Sequence, residues 1–255
     1  MNSDAAVSAR ALTRRFGSFT AVDGISLDVQ RGEIFGFLGA NGAGKTTAIR
    51  MFCGLLPPTS GEARVAGFDV RRQARSIKQT IGYMSQKFSL YDDLTVAQNI
   101  EFYGGIYGLR RDRIREKTAH MLEELDLRGK EDTLTRSLPL GWKQRLALSV
   151  SLLHDPSIIF LDEPTGGVDP ISRRNFWRII YDIAARGKTV FVTTHYMDEA
   201  EYCGRISIMY QGRIIELGQP GALKEKYGLG TMQDVFVHLV GDDARADAAA
   251  EGVSR

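Results

Sequence analysis

Gly39, Gly44, Lys45 and Thr46 stand in the spacing G-x-x-x-x-G-K-[ST], inside the segment Gly39-Ala40-Asn41-Gly42-Ala43-Gly44-Lys45-Thr46-Thr47. A loop this rich in glycine can turn successive backbone N–H groups inward around an oxyanion. The lysine adds a cation that can reach terminal phosphates, and the Thr46 hydroxyl adds a hard oxygen donor for Mg²⁺. A helix starting here would contribute the positive end of its dipole. The spacing therefore predicts a nucleoside triphosphate site, with Gly39 to Thr47 as the binding loop.

A triphosphate site that hydrolyses also needs charge to hold a metal, a proton acceptor for water and a group facing the terminal phosphate. In SIIFLDE, an apolar run ends in two carboxylates, Asp162 and Glu163. Asp162 is the candidate to hold Mg²⁺, directly or through water, and Glu163 to take the proton of the attacking water. In FVTTHYMDE, His195 ends another apolar run, where its ring can face the terminal phosphate. His120, His154 and His238 have no such setting and read as structural or solvated.

These groups need rigid carriers. The run from Glu33 to Leu38 reads as a buried strand before the loop, and Thr46 to Leu56 as a helix after it, ending near Gly54. Val7 to Thr13 and Ile25 to Val29 read as strands, and Gly61 to Val70 as a hairpin. From Leu94 to about Leu127 the pattern is helical, with Ile114, Thr118, Met121 and Leu125 on one face; Lys143 to His154 reads as a buried helix. From Ser157 onward strands alternate with helices: Ser157 to Leu161, Arg173 to Ala185, Thr189 to Thr194 and Met197 to Cys203. Ile206 to Tyr210 and Arg213 to Glu216 follow as a hairpin. The expected fold is α/β, a P-loop NTPase core on a mostly parallel sheet, with an N-terminal antiparallel β-subdomain and an inserted helical subdomain at about 88–154. The domain spans 7–240, and the polar, alanine-rich 241–255 reads as a disordered tail or linker.

The 255 residues can bury a sizeable core, and 43% hydrophobic and 25% charged residues suit a soluble globular protein. With a net charge of +2, nothing in the overall balance argues for a nucleic-acid or membrane-surface field, and no nucleic-acid partner is expected. The basic run Arg71-Arg72-Gln73-Ala74-Arg75 reads as a solvated loop or helix start. Cys53 and Cys203 lack metal-ligand spacing and read as reduced core thiols. No leader or membrane-spanning run is visible, so the expected address is cytoplasmic, and any membrane role needs a partner.

The ordered motif set resembles the ATP-binding subunits of ABC transporters over about residues 7 to 240. The resemblance implies ATP and Mg²⁺ as cofactors, with Thr46, Gln86 and Asp162 at the metal and Glu163, His195 and Gln86 in catalysis. It implies that Phe16 stacks on adenine, that the segment from Phe88 to Leu94 faces a membrane partner, and that Asp169 of GGVDP communicates across a dimer interface. Two such domains would meet head to tail, peripheral on the inner face of the membrane, and drive integral membrane subunits.

The chain departs from the family's LSGGQ signature, having Leu138-Pro139-Leu140-Gly141-Trp142 before Lys143-Gln144-Arg145. Pro139 suits a helix's first turn, and the Gly141 amide could still face the partner's phosphate. The variant, with Phe88 to Leu109 and THYMDEAEYC, resembles a bacterial drug-efflux branch. Some members carry two ATP-binding domains in one chain, so the length fits a single-domain subunit or half of a longer protein. Two alternatives are a soluble ABC ATPase acting on ribosomes or DNA, and a regulatory module that binds nucleotide without hydrolysis.

Overall fold

The computed structural model describes residues 5–86, 90–125 and 127–241. Of the expected tail, 242–255 lie outside the described residues, as do Phe88 and Ser89 of the expected partner-facing segment. Two long strands, β1 (Ala5–Phe16) and β2 (Phe19–Gln30), pair antiparallel, and both run further than sequence pattern indicated. After β3 (Ile34–Leu38) and α1 (Lys45–Phe52), β4 (Ser60–Val65) and β5 (Phe68–Asp69) complete an antiparallel sheet in the order β2-β1-β4-β5. The basic run leads into α2 (Ala74–Thr80), and β6 (Ile81–Met84) follows.

The helical insert holds α3 (Val96–Ile106), α4 (Arg111–Glu124) and α5 (Leu140–Ser151). Thr95 starts α3 with a reciprocal cap: its hydroxyl accepts from the Gln98 N–H at 3.2 Å, and the Gln98 side chain accepts from the Thr95 N–H at 2.9 Å. Ile114, Met121 and Leu125 are buried, as their spacing predicts, with Thr118 half-buried between them. Helix α5 begins three residues earlier than expected. Pro139 stands at the cap position rather than in the first turn, and its carbonyl accepts from the N–H groups of Trp142 and Lys143.

The chain returns through β7 (Ile158–Asp162), α6 (Pro170–Ala185), β8 (Thr189–Thr194), a 3₁₀ turn at Met197–Tyr202, β9 (Arg205–Tyr210), β10 (Arg213–Gly218) and α7 (Pro220–Tyr227). Residues 232–241 are also helical. The second sheet has the order β10-β9-β3-β8-β7-β6, parallel throughout except for β10.

Side chains alternate across this sheet. Phe35, Phe37, Ile158, Phe160 and Phe191 join one core, with α1 and the antiparallel sheet. Leu38, Ile159, Leu161, Val190 and Val192 join the other, with the helices. Phe191 sits 5.3, 5.4, 5.4 and 5.7 Å from the rings of Phe35, Phe37, Phe160 and Phe52, in tilted contacts. Truncating such a ring to alanine costs roughly 3–5 kcal/mol. The functional consequence is positional: β3, β7 and β8 are neighbours clamped on one aromatic layer, and the three sequence motifs lie at their C-terminal ends.

Candidate active site

The loop from Gly39 to Gly44 turns the end of β3 into α1 under tight constraint. A Cβ on Gly39 would strike the carbonyl oxygen of Met209 in β9. One on Gly44 would strike that of Ala21 in β2, and Gly44 also holds a left-handed φ of 104°. Both fixed glycines thus permit close packing of backbone against backbone. Helix α1 has no side-chain cap and no acidic residue in its first turn, so none of its own side chains offsets its positive end.

Lys45 is 4% exposed. Its ammonium donates to the carbonyl oxygens of Gly39 at 2.7 Å and Ala40 at 3.0 Å, and lies 3.3 Å from Glu163 Oε1. Burial lowers its pKa, and the attraction of Glu163 opposes that shift. Asp162, at the end of β7, is 1% exposed. Its Oδ1 accepts from the Thr193 hydroxyl at 2.7 Å and the Thr46 hydroxyl at 3.2 Å. Burial raises the pKa of this carboxyl, while the two hydroxyls pull it the other way.

Glu163 follows with a left-handed φ of 51°, sparsely populated for a residue with a Cβ. Its N–H is held by the hydroxyl and carbonyl oxygens of Thr193, at 3.0 and 3.2 Å. The twist carries the side chain away from the strand direction and into the site. There Oε2 accepts from Gln86 Nε2 at 3.0 Å and lies 3.1 Å from His195 Nδ1. One carboxylate thus gathers the phosphate-loop lysine, the glutamine after β6 and the histidine after β8. Phe19, Lys45, Thr46, Gln86 and Glu163 border an open cavity of 400 Å³. A second, of 320 Å³, extends past Asn41, Gln144 and His195.

The remaining expected residues lie around this centre. Phe16 and Phe19 face each other across the β1–β2 turn, 46% and 65% exposed. The Arg14 guanidinium lies 4.5 Å over the Phe16 ring, whereas Phe19 borders the phosphate-loop cavity. Gly141 is in the first turn of α5, where a Cβ would come 3.0 Å from Ser172 Oγ of α6. Leu140 is 37% exposed beside it. Asp169 caps α6, accepting from the N–H groups of Ile171 and Ser172, both at 3.0 Å; the Ser172 hydroxyl, followed by these N–H groups, holds its carboxyl below the usual range.

Sequence pattern did not single out Thr193, Gln144 or Phe19. Gln144 donates to the Gly166 carbonyl at 3.2 Å and so fastens α5 to the loop after Glu163.

A family model described as "ABC transporter" matches residues 22–166, over half of the chain. The chain belongs to the ABC transporter family. The probable multidrug ABC transporter ATP-binding protein YbhF of Escherichia coli (strain K12) is 50% identical over 241 residues, 92% of this chain and 42% of that protein. The Nod factor export ATP-binding protein I of Paraburkholderia xenovorans (strain LB400) is 39% identical over 221 residues, 86% of this chain and 73% of that protein. The chain spans well under half the length of the first of these relatives. Among solved structures, cbiO1 from Clostridium perfringens, part of the ABC transporter complex cbiONQ, superposes with a TM-score of 0.78 at 28% identity. That match covers 89% of this chain and 92% of that one. The ABC transporter fold accounts for the two sheets and the helical insert. Among the described residues, no helix is long and apolar enough to cross a membrane.

Proposed function

We propose that this chain binds ATP, hydrolyses it, and uses the cycle to power an exporter of drugs or other small molecules. The observation that carries the reading is the placement of Glu163, twisted out of β7 so that its carboxylate meets Lys45, Gln86 and His195 at 3.0–3.3 Å. The names of the exporter relatives support the transport role.

In this reading the phosphate-loop N–H groups and Lys45 bind the triphosphate, whose oxygens replace the Gly39 and Ala40 carbonyls as partners of the ammonium. Thr46 and Asp162 offer one hydroxyl and one carboxylate, the hard donors Mg²⁺ takes when substrate phosphates complete its shell. Among the described residues no cluster of three or more His, Cys, Asp or Glu could hold a metal alone, consistent with an ion that arrives with nucleotide. Bound there, Mg²⁺ would neutralise charge on the phosphates, with Gln86 of the same cavity as a further residue to hold it. Glu163 orients the attacking water and accepts its proton. His195 holds the Glu163 carboxylate from the open side and faces the terminal phosphate. Phe16 stacks on the adenine ring.

A second ATP-binding domain meets this one head to tail and brings its own Gly141 helix start to the phosphates, with Asp169 at the junction. Tyr91 and Phe102, 50% and 40% exposed and 4.8 Å apart edge to face, form an aromatic patch beside Asp92 and Asp93. Exposed aromatics of this kind anchor partner helices, and we assign the patch to an integral membrane subunit. The chain then works on the cytoplasmic side, peripheral to the membrane.

The test is affinity capture of Glu163→Gln from detergent-solubilised cells with ATP present, with partners identified by mass spectrometry. A stoichiometric multi-span membrane protein supports the exporter reading. Ribosomal or DNA-repair proteins without a membrane subunit would replace it with the soluble-ATPase reading.

A further inference from the structure

We propose that Glu199 is a positioning residue for hydrolysis, tying the segment that carries His195 to the loop that carries Glu163; this rests on the catalytic reading of that pair given above. Glu199 lies four residues after His195, in the 3₁₀ turn, and is fully buried. A carboxylate without solvent needs compensating partners, and its partners come from two other parts of the site. Oε1 accepts from the Thr165 hydroxyl at 2.5 Å, and Thr165, 1% exposed, stands two residues beyond Glu163. The same oxygen lies 3.5 Å from Arg173 Nε, in the first turns of α6.

Arg173 extends the link in both directions. Its N–H bonds to the Asp169 carbonyl at 3.0 Å, fixing it to the start of α6. Its guanidinium lies 4.0 Å over the ring of Tyr196, and Nη1 is 3.4 Å from Asp198 Oδ2. Tyr196 is the residue after His195, and the two rings are 4.2 Å apart. The Cys203 thiol donates to the Glu199 carbonyl at 3.7 Å and pins the far end of the turn. Thus the Glu163 loop, the Asp169 helix start and the His195 segment converge on one buried carboxylate.

The cluster is not arranged for stability alone. Glu199 Oε2 and Arg173 Nε are both buried without a hydrogen-bond partner. Buried ion pairs often match, and do not exceed, the stability of apolar residues filling the same space. What this one adds is a directional constraint on His195 and Glu163, which stand 3.1 Å apart at the ends of different strands. Loss of the constraint lets the pair drift without removing either group.

The experiment measures single-turnover phosphate release and ATP affinity for Glu199→Gln and Thr165→Val, each alone and combined with His195→Ala. Either variant alone is expected to slow the chemical step roughly 10- to 100-fold, the scale of a small misplacement of catalytic groups, with ATP affinity unchanged. In the His195→Ala background the further loss is expected to shrink, because the His195–Glu163 pairing that Glu199 sets is already broken. Wild-type turnover in folded Glu199→Gln and Thr165→Val overturns the proposal. So does a loss that multiplies undiminished with that of His195→Ala. If Glu199→Gln does not fold, Thr165→Val, which removes only a hydroxyl, decides by the same criteria. Glu163→Gln run in parallel separates the two levels: undiminished turnover there overturns the catalytic reading itself.

Discussion

The Thr193 hydroxyl donates to Asp162 Oδ1 at 2.7 Å while accepting from the N–H of Glu163 at 3.0 Å. A single side chain on β8 therefore sets the carboxylate assigned to the metal and the backbone of the residue assigned to proton transfer. Thr193→Val keeps the shape and removes both bonds, leaving Asp162 Oδ1 with the Thr46 hydroxyl and the Glu163 N–H with the carbonyl of residue 193. A cost of about 0.5–1.5 kcal/mol in stability is expected for each bond lost. A drop of roughly 10-fold or more in apparent Mg²⁺ affinity should accompany it, as for other residues that orient metal ligands. Denaturant unfolding and a Mg²⁺ titration of ATPase rate give the two values.

Glu163→Gln preserves size and the bond from Gln86 but removes the proton acceptor. Turnover is expected to fall roughly 10²–10⁴-fold with ATP binding retained. Lys45→Ala is expected to fail earlier, at binding. Phosphate release and calorimetric titration with ATP distinguish the two, and unchanged hydrolysis in Glu163→Gln would remove it as the base.

Asp162 titrates against the fold. Burial raises its pKa above the usual 3.8, so the folded carboxyl holds its proton more tightly than the unfolded one. The resulting penalty is absent at pH well below 3.8, grows as pH rises through the interval up to the folded value, and is complete above it. Asp162→Asn abolishes the penalty and keeps an oxygen for the two hydroxyls that share Oδ1. Its Tm at neutral pH is expected to exceed that of the parent chain, with the gap closing in acid, while Mg²⁺-dependent turnover is lost. A Tm below the parent at neutral pH would contradict this account.

The β1–β2 turn gives a base-stacking test. The Arg14 guanidinium lies 4.5 Å over the half-exposed Phe16 ring. Base stacking on an aromatic contributes about 1–3 kcal/mol, so Phe16→Ala is expected to weaken ATP binding roughly 5- to 150-fold, and Phe16→Trp to restore it. A larger loss in Phe19→Ala than in Phe16→Ala would transfer the role to the ring that borders the cavity.

The phosphate loop, the acid pair and the strands beneath them were legible because local pattern determines them: glycine spacing, short apolar runs and carboxylates at strand ends. The buried face of α4 was legible for the same reason, its spacing being that of a helix. The start of α5 was legible only through Pro139, because Gly141 and Trp142 interrupt the apolar pattern and the cap position has no side-chain acceptor. Thr193 and Glu199 were hidden for another reason. Their partners, Asp162 and Thr165, are 31 and 34 residues away in sequence and meet them only when β7 and β8 pair. The family resemblance makes Asp169 a communicator across a dimer interface. In this chain it is first a helix cap, a local role its position before Pro170 could have announced.

The strand order has one further consequence. β3, β7 and β8 sit side by side in the sheet although α3 and α4 fall between them in the chain. The loop joining those two helices, at exposed Gly108, touches none of the groups assigned to chemistry. A protease cutting there would yield two pieces with the motifs divided between them, Lys45 and Gln86 on one and Glu163 and His195 on the other. The shared aromatic layer would still hold the pieces together, so fragment complementation is a direct assay of how far the sheet alone builds the site.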